Sequence, residues 1–294
     1  KIGTHPLSIP LYEKMLQAVG DEEEISMKRT AIIVSDGLYK MMPIGATCMK
    51  RTGSRIEGSE IPSSDIDILY YLTDHHVVWD VAESLDYNIG KNTVILAEYQ
   101  ETIPGTVHLR LLKVHPTNKS ITTRFCMKYN SSTYLATDLF EGHKFFQHGP
   151  YQRTSFDDHY ANCYDETIGF GARKWPTQQT KNWLTRCEKF GWPQKKVLKS
   201  ILSSGCLFVP KGSKQSRQEN DPNLQLEWRL SFNQAEQKLI DSFSHPQILC
   251  YVLLKRFLAE VLNKNVKEEE RFLCSYFLKM ALFWCIQTDP KHEW

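Results

Sequence analysis

The sequence lacks most of the features that assign a chain at sight. No uninterrupted apolar run approaches the roughly 20 residues that span a bilayer, so no membrane-spanning helix is expected. No signal segment is read at the start, and a chain opening on Lys1 reads as trimmed. The eight cysteines (48, 126, 163, 187, 206, 250, 274 and 285) include no Cys-x-x-Cys. Scattered thiols argue against a zinc ribbon and for reduced cysteines in an intracellular, cytoplasmic protein. There is no repeat and no low-complexity tract. The formal charge is only +2, so no strong overall field attracts a polyanion, and any basic footprint must be local.

What is present is an ordinary globular composition, 41% hydrophobic and 24% charged over 294 residues, enough for one large domain or two lobes. The most informative stretch runs from Thr52 to Leu69 and reads TGSRIEGSEIPSSDIDIL. Gly53-Ser54 can turn tightly and bring backbone N–H groups close to an anion. In the strand that follows, side chains alternate, so Asp65 and Asp67 share one face while Ile66 and Ile68 enter the core. Two neighbouring carboxylates repel unless a cation lies between them, and hard oxygen ligands suit magnesium or manganese. A phosphate-holding turn before a metal-holding strand is what nucleotidyl transfer needs. The alternative is an exposed edge strand bearing two solvated acids. Glu57 reads as a solvated turn residue.

Along the chain, residues 7 to 42 read as helix broken near Gly20, with Asp21 and Glu22–Glu24 opening a second segment. Ile25, Ile32, Ile33, Leu38, Met41 and Met42 supply its apolar stripe. Short strands joined by hairpins are expected over 77–129, a helix over Tyr134–Phe146, and a strand over Asn162–Phe170. Beyond Trp175-Pro176 the texture is helical (177–190, 193–204, 233–243, 245–263 and 267–287), interrupted by strands at 206–209 and 226–232. Lys211–Asn223 reads as a polar loop. The fold class is therefore α+β and bilobal. A mixed-sheet lobe with its long N-terminal helix occupies 1–175, and a mostly helical lobe occupies 176–294, with a ligand cleft between them.

Two surfaces have competing readings. On the last helix, Leu273, Phe277, Met280, Ala281 and Trp284 form an apolar side, and Ser275, Tyr276 and Lys279 a polar stripe. That stripe is either one satisfied tyrosine and one snorkelling lysine, or a cleft wall with Tyr276 stacked on a base. Arg186, Lys189, Lys195, Lys196 and Lys199 gather on two successive helices. Lys195 and Lys199 lie one turn apart, as either a solvated face or a phosphate-binding one.

With these motifs in hand, the chain resembles the cyclic GMP–AMP synthase-like receptors, animal nucleotidyltransferases of the cyclic GMP–AMP synthase and male-abnormal superfamily. GSRIEGSEIPSSDIDIL carries the Gly-Ser and paired-acid elements, while VPKGS, EWRLSFNQAE and SYFLKMALFWCIQTDP resemble the helical lobe in the right order. The resemblance implies a third metal-binding acid, assigned to Asp165 over its rivals Asp157 and Asp158. It implies that Thr52, Gly53 and Ser54 hold nucleotide and triphosphate, that Arg229, Ser231, Lys255 and Ser275 line the pocket, and that Tyr276 stacks on a base. Metal ions between the acids would neutralise the triphosphate and lower the pKa of an attacking ribose hydroxyl. The implied activity is nucleic-acid-activated synthesis of a cyclic dinucleotide from nucleoside triphosphates such as ATP and GTP in innate immune signalling. The chain departs from the vertebrate DNA sensor at the zinc thumb: Asp241–Pro246 runs straight into the next helix, and His245 with Cys250 is no zinc site. No zinc is expected, and double-stranded RNA becomes the favoured activator over DNA, gripped by the basic patch with Lys211, Lys214 and Arg217, on which the protein could dimerise. The alternatives are a catalytically inactive scaffold of the male-abnormal type and a constitutive RNA-tailing transferase.

Overall fold

The computed structural model describes residues 8–41, 47–62, 64–88, 90–99, 102–116, 124–137, 139, 164–210, 224–267 and 270–290. Two helices open the chain, α1 (Ser8–Val19) and α2 (Glu22–Met41), and Gly20 separates them at φ 101°, where a side chain would be strained. Asp21 and Glu24 close a reciprocal cap on α2: the Glu24 N–H donates to Asp21 Oδ1 at 2.9 Å, and the Asp21 N–H to Glu24 Oε2 at 3.0 Å. The apolar stripe expected on α2 turns inward only in part. Ile25 is buried, whereas Ile33 and Leu38 are exposed and the buried side chain farther along is Asp36. Asp36 takes both the Nε (2.7 Å) and the backbone N–H (3.0 Å) of Arg51, so a clamp to the first strand replaces the outer part of the stripe.

The strands are β1 (Thr47–Thr52), β2 (Ile66–Val78), β3 (Thr93–Glu98), β4 (Thr106–Lys113), β5 (Cys126–Tyr129), β6 (Ser132–Leu135), β7 (Tyr164–Ala172), β8 (Cys206–Val209) and β9 (Glu227–Ser231). They form one nine-stranded sheet in the order β1-β2-β7-β8-β9-β4-β6-β5, and β3 joins β2 to β4. That extra pairing closes a circuit through β2, β7, β8, β9, β4 and β3. One core cluster draws most of its residues from this circuit, among them Val77, Ile95, Val107, Leu109, Phe170, Phe208 and Trp228, with Phe125 and Leu135 added from beside it. Each large side chain so buried contributes on the order of 1.5–3 kcal/mol. The indole N–H of Trp228 is satisfied by the Leu135 carbonyl at 2.9 Å.

The remaining α-helices are a short turn α3 (Gly53–Glu57), then α4 (Thr177–Phe190), α5 (Lys195–Ser203), α6 (Asn233–Asp241), α7 (His245–Phe257), continued by a π-helical turn over Leu258–Leu262, and α8 (Ser275–Thr288), with short 3-10 turns at Val81–Asp86 and Leu224–Leu226. A second core combines Met15 and Val19 of α1 with Ile201, Leu239, Tyr251, Val252 and Phe283 from the later helices, and Phe232 packs against both cores. Neither core is a continuous piece of chain. Strands β8 and β9, beyond residue 176, complete the sheet, while α1 joins the later helices.

The starts of two expected helices are corrected. Residues 132–135 form a strand paired with β5, because Asn130 and Ser131 adopt positive φ (44° and 64°) and turn a hairpin, so the helix expected from Tyr134 does not begin there; Thr137 and Leu139 are helical, and 138 and 140–146 lie outside the described residues. The last helix begins at Ser275, not 267. A charged run such as Lys267–Arg271 has no apolar face to pack, and packing is what stabilises most helices. The expected strand after Asn162 appears as β7. Lys211–Asn223, Asp157 and Asp158 lie outside the described residues.

Candidate functional site

Strand β2 lies between β1 and β7, which removes the edge-strand reading for Asp67, whereas Asp65 precedes the strand, which opens at Ile66, and is exposed. Ile68 and Leu69 are both buried, so both faces of the strand are covered at this point. Asp67 is paired in register with Thr52 of β1 on one side and Asp165 of β7 on the other. Register partners occupy matching positions on adjacent strands, so the third expected acid stands beside Asp67. The side chain of Asp165 lies outside the described residues.

The chain leaves β1 through Gly53, which opens α3 at φ 74°. A Cβ built on Gly53 would lie 1.8 Å from Asp67 Oδ2 and 2.7 Å from its Cγ. Glycine is thus required twice, for the left-handed backbone and because the Asp67 carboxylate fills the space of a side chain. Gly53→Ala is expected to cost at least about 1 kcal/mol from the backbone alone and to displace Asp67. Urea unfolding should show a smaller cost for the same change made in an Asp67→Ala background. Equal costs in the two backgrounds would mean that Asp67 does not occupy that space.

Behind this turn lies a buried ionic cluster. Glu57, the last residue of α3, is buried, correcting the solvated reading, and accepts from Lys279 Nζ of α8 at 2.5 Å. Lys279 also reaches Glu236 Oε2 of α6 at 3.4 Å. Burial by itself would lower the Lys279 ammonium, but Glu57, Tyr251 and Glu236 outweigh it and the net shift is upward. Burial raises Glu236, opposed by Lys279 and by the hydrogen bond from the Tyr276 hydroxyl. Lys255 of α7 is buried and donates to the Ser59 carbonyl at 2.7 Å. Burial pushes its ammonium down to about 8, with Glu57, Asp67 and Asp65 pulling the other way. Lys255 therefore feels both paired acids.

The structure brings Thr52, Gly53, Asp65, Asp67 and Lys255 together and places Tyr276 on the Glu236 side of the same cluster. Tyr276 is half exposed, and Arg229, exposed on β9, lies within its electrostatic reach. Ser54 lies in α3, Ser231 ends β9, and Ser275 is exposed at the start of α8. The inner face of α8 is corrected: Phe277 and Trp284 are exposed, and the buried positions are Leu282, Phe283, Ile286 and Gln287. Lys279 points inward with them because two acids await it. No periodicity announces that; a lysine four residues before Phe283 was its only trace.

The basic residues divide. Lys189, Lys195, Lys196 and Lys199 are exposed, while Arg186 lies over the Trp284 ring at 5.0 Å and lines an aromatic cavity. His245 Nε2 lies 3.1 Å from the Gly20 carbonyl, which engages it in the packing of α7 on the α1–α2 break. Among the described residues no helix is long and apolar enough to cross a membrane.

Asp65 and Asp67 offer hard oxygen donors, and Asp165 stands in register with Asp67. This chemistry suits magnesium or manganese and not a soft metal. Among the described residues no three His, Cys, Asp or Glu side chains form a metal-holding group. The fit rests on the two described acids and the register of the third.

Residues 167–242 match the family model of the Mab-21 protein nucleotidyltransferase domain. The match begins just past Asp165 and spans the strands and helices from β7 through α6. It supports a place in the cyclic GMP–AMP synthase and Mab-21 superfamily and a transferase of nucleotidyl groups.

Proposed function

We propose that this protein is a double-stranded-RNA-activated nucleotidyltransferase that joins nucleoside triphosphates into a cyclic dinucleotide, acting in the cytoplasm in innate immune signalling. The observation that carries the reading is the Asp67 carboxylate seated against Gly53 and in register with Asp165. In this reading Asp65, Asp67 and Asp165 hold magnesium or manganese, which when bound supplies charge neutralisation and activates a ribose hydroxyl. The Gly53-Ser54 turn holds the triphosphate with Thr52 beside it. Lys255 adds a cation, Tyr276 stacks on a base, and Arg229, Ser231 and Ser275 line the pocket. Catalysis would rest on positioning and electrostatics. The sheet, completed by β8 and β9, and the helical core, joined by α1, would form the two walls of the cleft in place of the continuous divisions 1–175 and 176–294 expected from the sequence.

Incubation of the protein with ATP, GTP and magnesium, with and without double-stranded RNA or DNA, tests this. A cyclic dinucleotide formed only with RNA is expected. Linear extension would identify a tailing enzyme, and no product under any condition would favour the scaffold.

Lys255 makes the binding step pH-dependent. Its ammonium is charged below about pH 8 and neutral above it. ATP affinity should therefore weaken as pH rises from 8 to 10, and a Lys255→Arg protein should stay level across that range. Parallel profiles for the two proteins would remove Lys255 from the triphosphate site.

RNA would be gripped through Lys189, Lys195, Lys196 and Lys199, with Arg186 turned away into the cavity. Phosphate contacts release counterions, so activation should fall steeply with salt. Reversing Lys195 and Lys199 to Glu together should remove RNA binding and RNA-stimulated synthesis. Unchanged RNA affinity in that protein would clear the patch of the role.

A further inference from the structure

One face of α2 holds both ends of the turn that carries Gly53 and Ser54. On the entering side is Arg51, next to last in β1, which stands at one end of the strand order. The Arg51 backbone N–H and its Nε both donate to the buried Asp36 carboxylate, and its Nη2 donates to the Ile32 carbonyl at 3.3 Å. On the leaving side, the Glu57 carbonyl at the end of α3 takes two donors from Arg29, Nε at 3.1 Å and Nη2. The Arg29 side chain is 16% exposed, and Asp241 of α6 lies 3.7 Å away as its counter-charge. None of the roles above uses Arg29.

Arg29 and Asp36 lie two helical turns apart, so they share a face and stand about 10 Å from each other along the axis. Between their partners Arg51 and Glu57 run Thr52, Gly53 and Ser54. A helix as short as α3 cannot hold its own shape, because nucleation costs more than so few hydrogen bonds return. Its last carbonyls also lack partners within the helix. The conformation of the turn therefore comes from outside contacts. Lys255 and Lys279 meet residues 57–59 as well, at the Ser59 carbonyl and the Glu57 carboxylate, so the leaving end has other supports. Helix α2, 20 residues long, contacts both ends. Each of its contacts is charge-assisted and double, which fixes direction as well as distance. We infer that Arg29 and Asp36 are positioning residues, which set the separation of Arg51 and Glu57 and so aim the backbone N–H groups of Gly53 and Ser54. That those groups face a triphosphate rests on the reading above, whereas the bracing of the turn does not.

Hydrogen exchange read by mass spectrometry in the full chain separates bracing from general stability. Arg29→Gln removes the charge and shortens the reach, and Asp36→Asn removes one of two acceptors. In each variant the amides of residues 53–59 should exchange at least about tenfold faster, while those of β8 and β9 keep the unaltered rate. Arg29→Lys, which keeps the charge and one hydrogen bond, should fall between. Affinity for the α,β-methylene analogue of ATP with magnesium should drop at least about tenfold in Arg29→Gln and in Asp36→Asn, at a temperature where both are folded. Acceleration spread evenly over the sheet would overturn the inference, because it marks a global loss of stability. So would unchanged exchange over 53–59, or analogue affinity equal to that of the unaltered protein. If the unaltered protein binds no analogue, the triphosphate reading fails and the exchange pattern alone decides the bracing. If Arg29→Gln melts early, Arg29→Lys takes its place, and exchange over 53–59 at the unaltered rate there overturns the inference.

Discussion

Asp67→Asn is expected to lower nucleotidyl transfer by at least about a hundredfold while changing folding stability by less than about 1 kcal/mol. Asp67 sits at the centre of the site: Thr52 and Asp165 flank it in register, and its carboxylate lies in the space that Gly53 leaves open. Asparagine keeps the shape and so the contact with Gly53. What it removes is one unit of negative charge where the transfer reaction needs cations to be held, and losses of preorganised electrostatics run to 10²–10³ in rate. Stability should hold because the loss of attraction to Lys255 is offset by relief of repulsion from Asp65. The comparison needs product formation and urea unfolding on the same preparation. Near-normal turnover in a well-folded Asp67→Asn protein would sink the site. The matching change at Asp165 tests whether register alone identified the third acid, and a fully active Asp165→Asn would return the role to Asp157 or Asp158.

Lys279→Met should cost about 3–5 kcal/mol of folding free energy, the range for breaking a buried ion pair from one side. The Lys279 side chain is 12% exposed, and its partners Glu57 and Glu236 are 4% and 16% exposed, so solvent cannot screen what remains. Two carboxylates would then face each other with no cation between them. The cost should shrink when Glu57→Gln is added, because the second change removes one of the stranded charges, and the difference between the two backgrounds measures the coupling. Urea midpoints for the single and double variants provide it. A loss below about 1 kcal/mol for Lys279→Met would mean that the cluster is solvated and holds α3 to α8 only weakly. The outcome bears on function through geometry, since α3 is the turn that carries Gly53 and Ser54.

Much of this site is legible in the sequence itself. A Gly-Ser followed by two acids in alternation announces a tight turn and a strand, because glycine tolerates positive φ and strand side chains alternate, although the strand opens at Ile66 and holds only the second acid, Asp67. The helix break at Gly20, the capping acids after it, and the strands at 206–209 and after Asn162 were legible for the same reason. Each is written in residues adjacent in sequence.

What adjacent residues could not reveal is partnership across the chain. Glu57 looks like a solvated turn residue until Lys279, more than two hundred positions away, arrives to pair with it. Arg186 looks like one more member of a basic row until α8 brings Trp284 under its guanidinium. The faces of α2 and α8 were misread because an acid or a lysine with a waiting partner turns inward as readily as an apolar side chain. By itself the sequence determined the turn, the paired acids and most of the helices, since these follow from local backbone preference and periodicity. Only the tertiary structure decided that β8 and β9 complete the sheet of the paired acids, that α1 packs with the last helices, and which charges are buried. Those outcomes depend on which surfaces meet, and burial, not propensity, sets whether a charge is solvated or must find its counterpart.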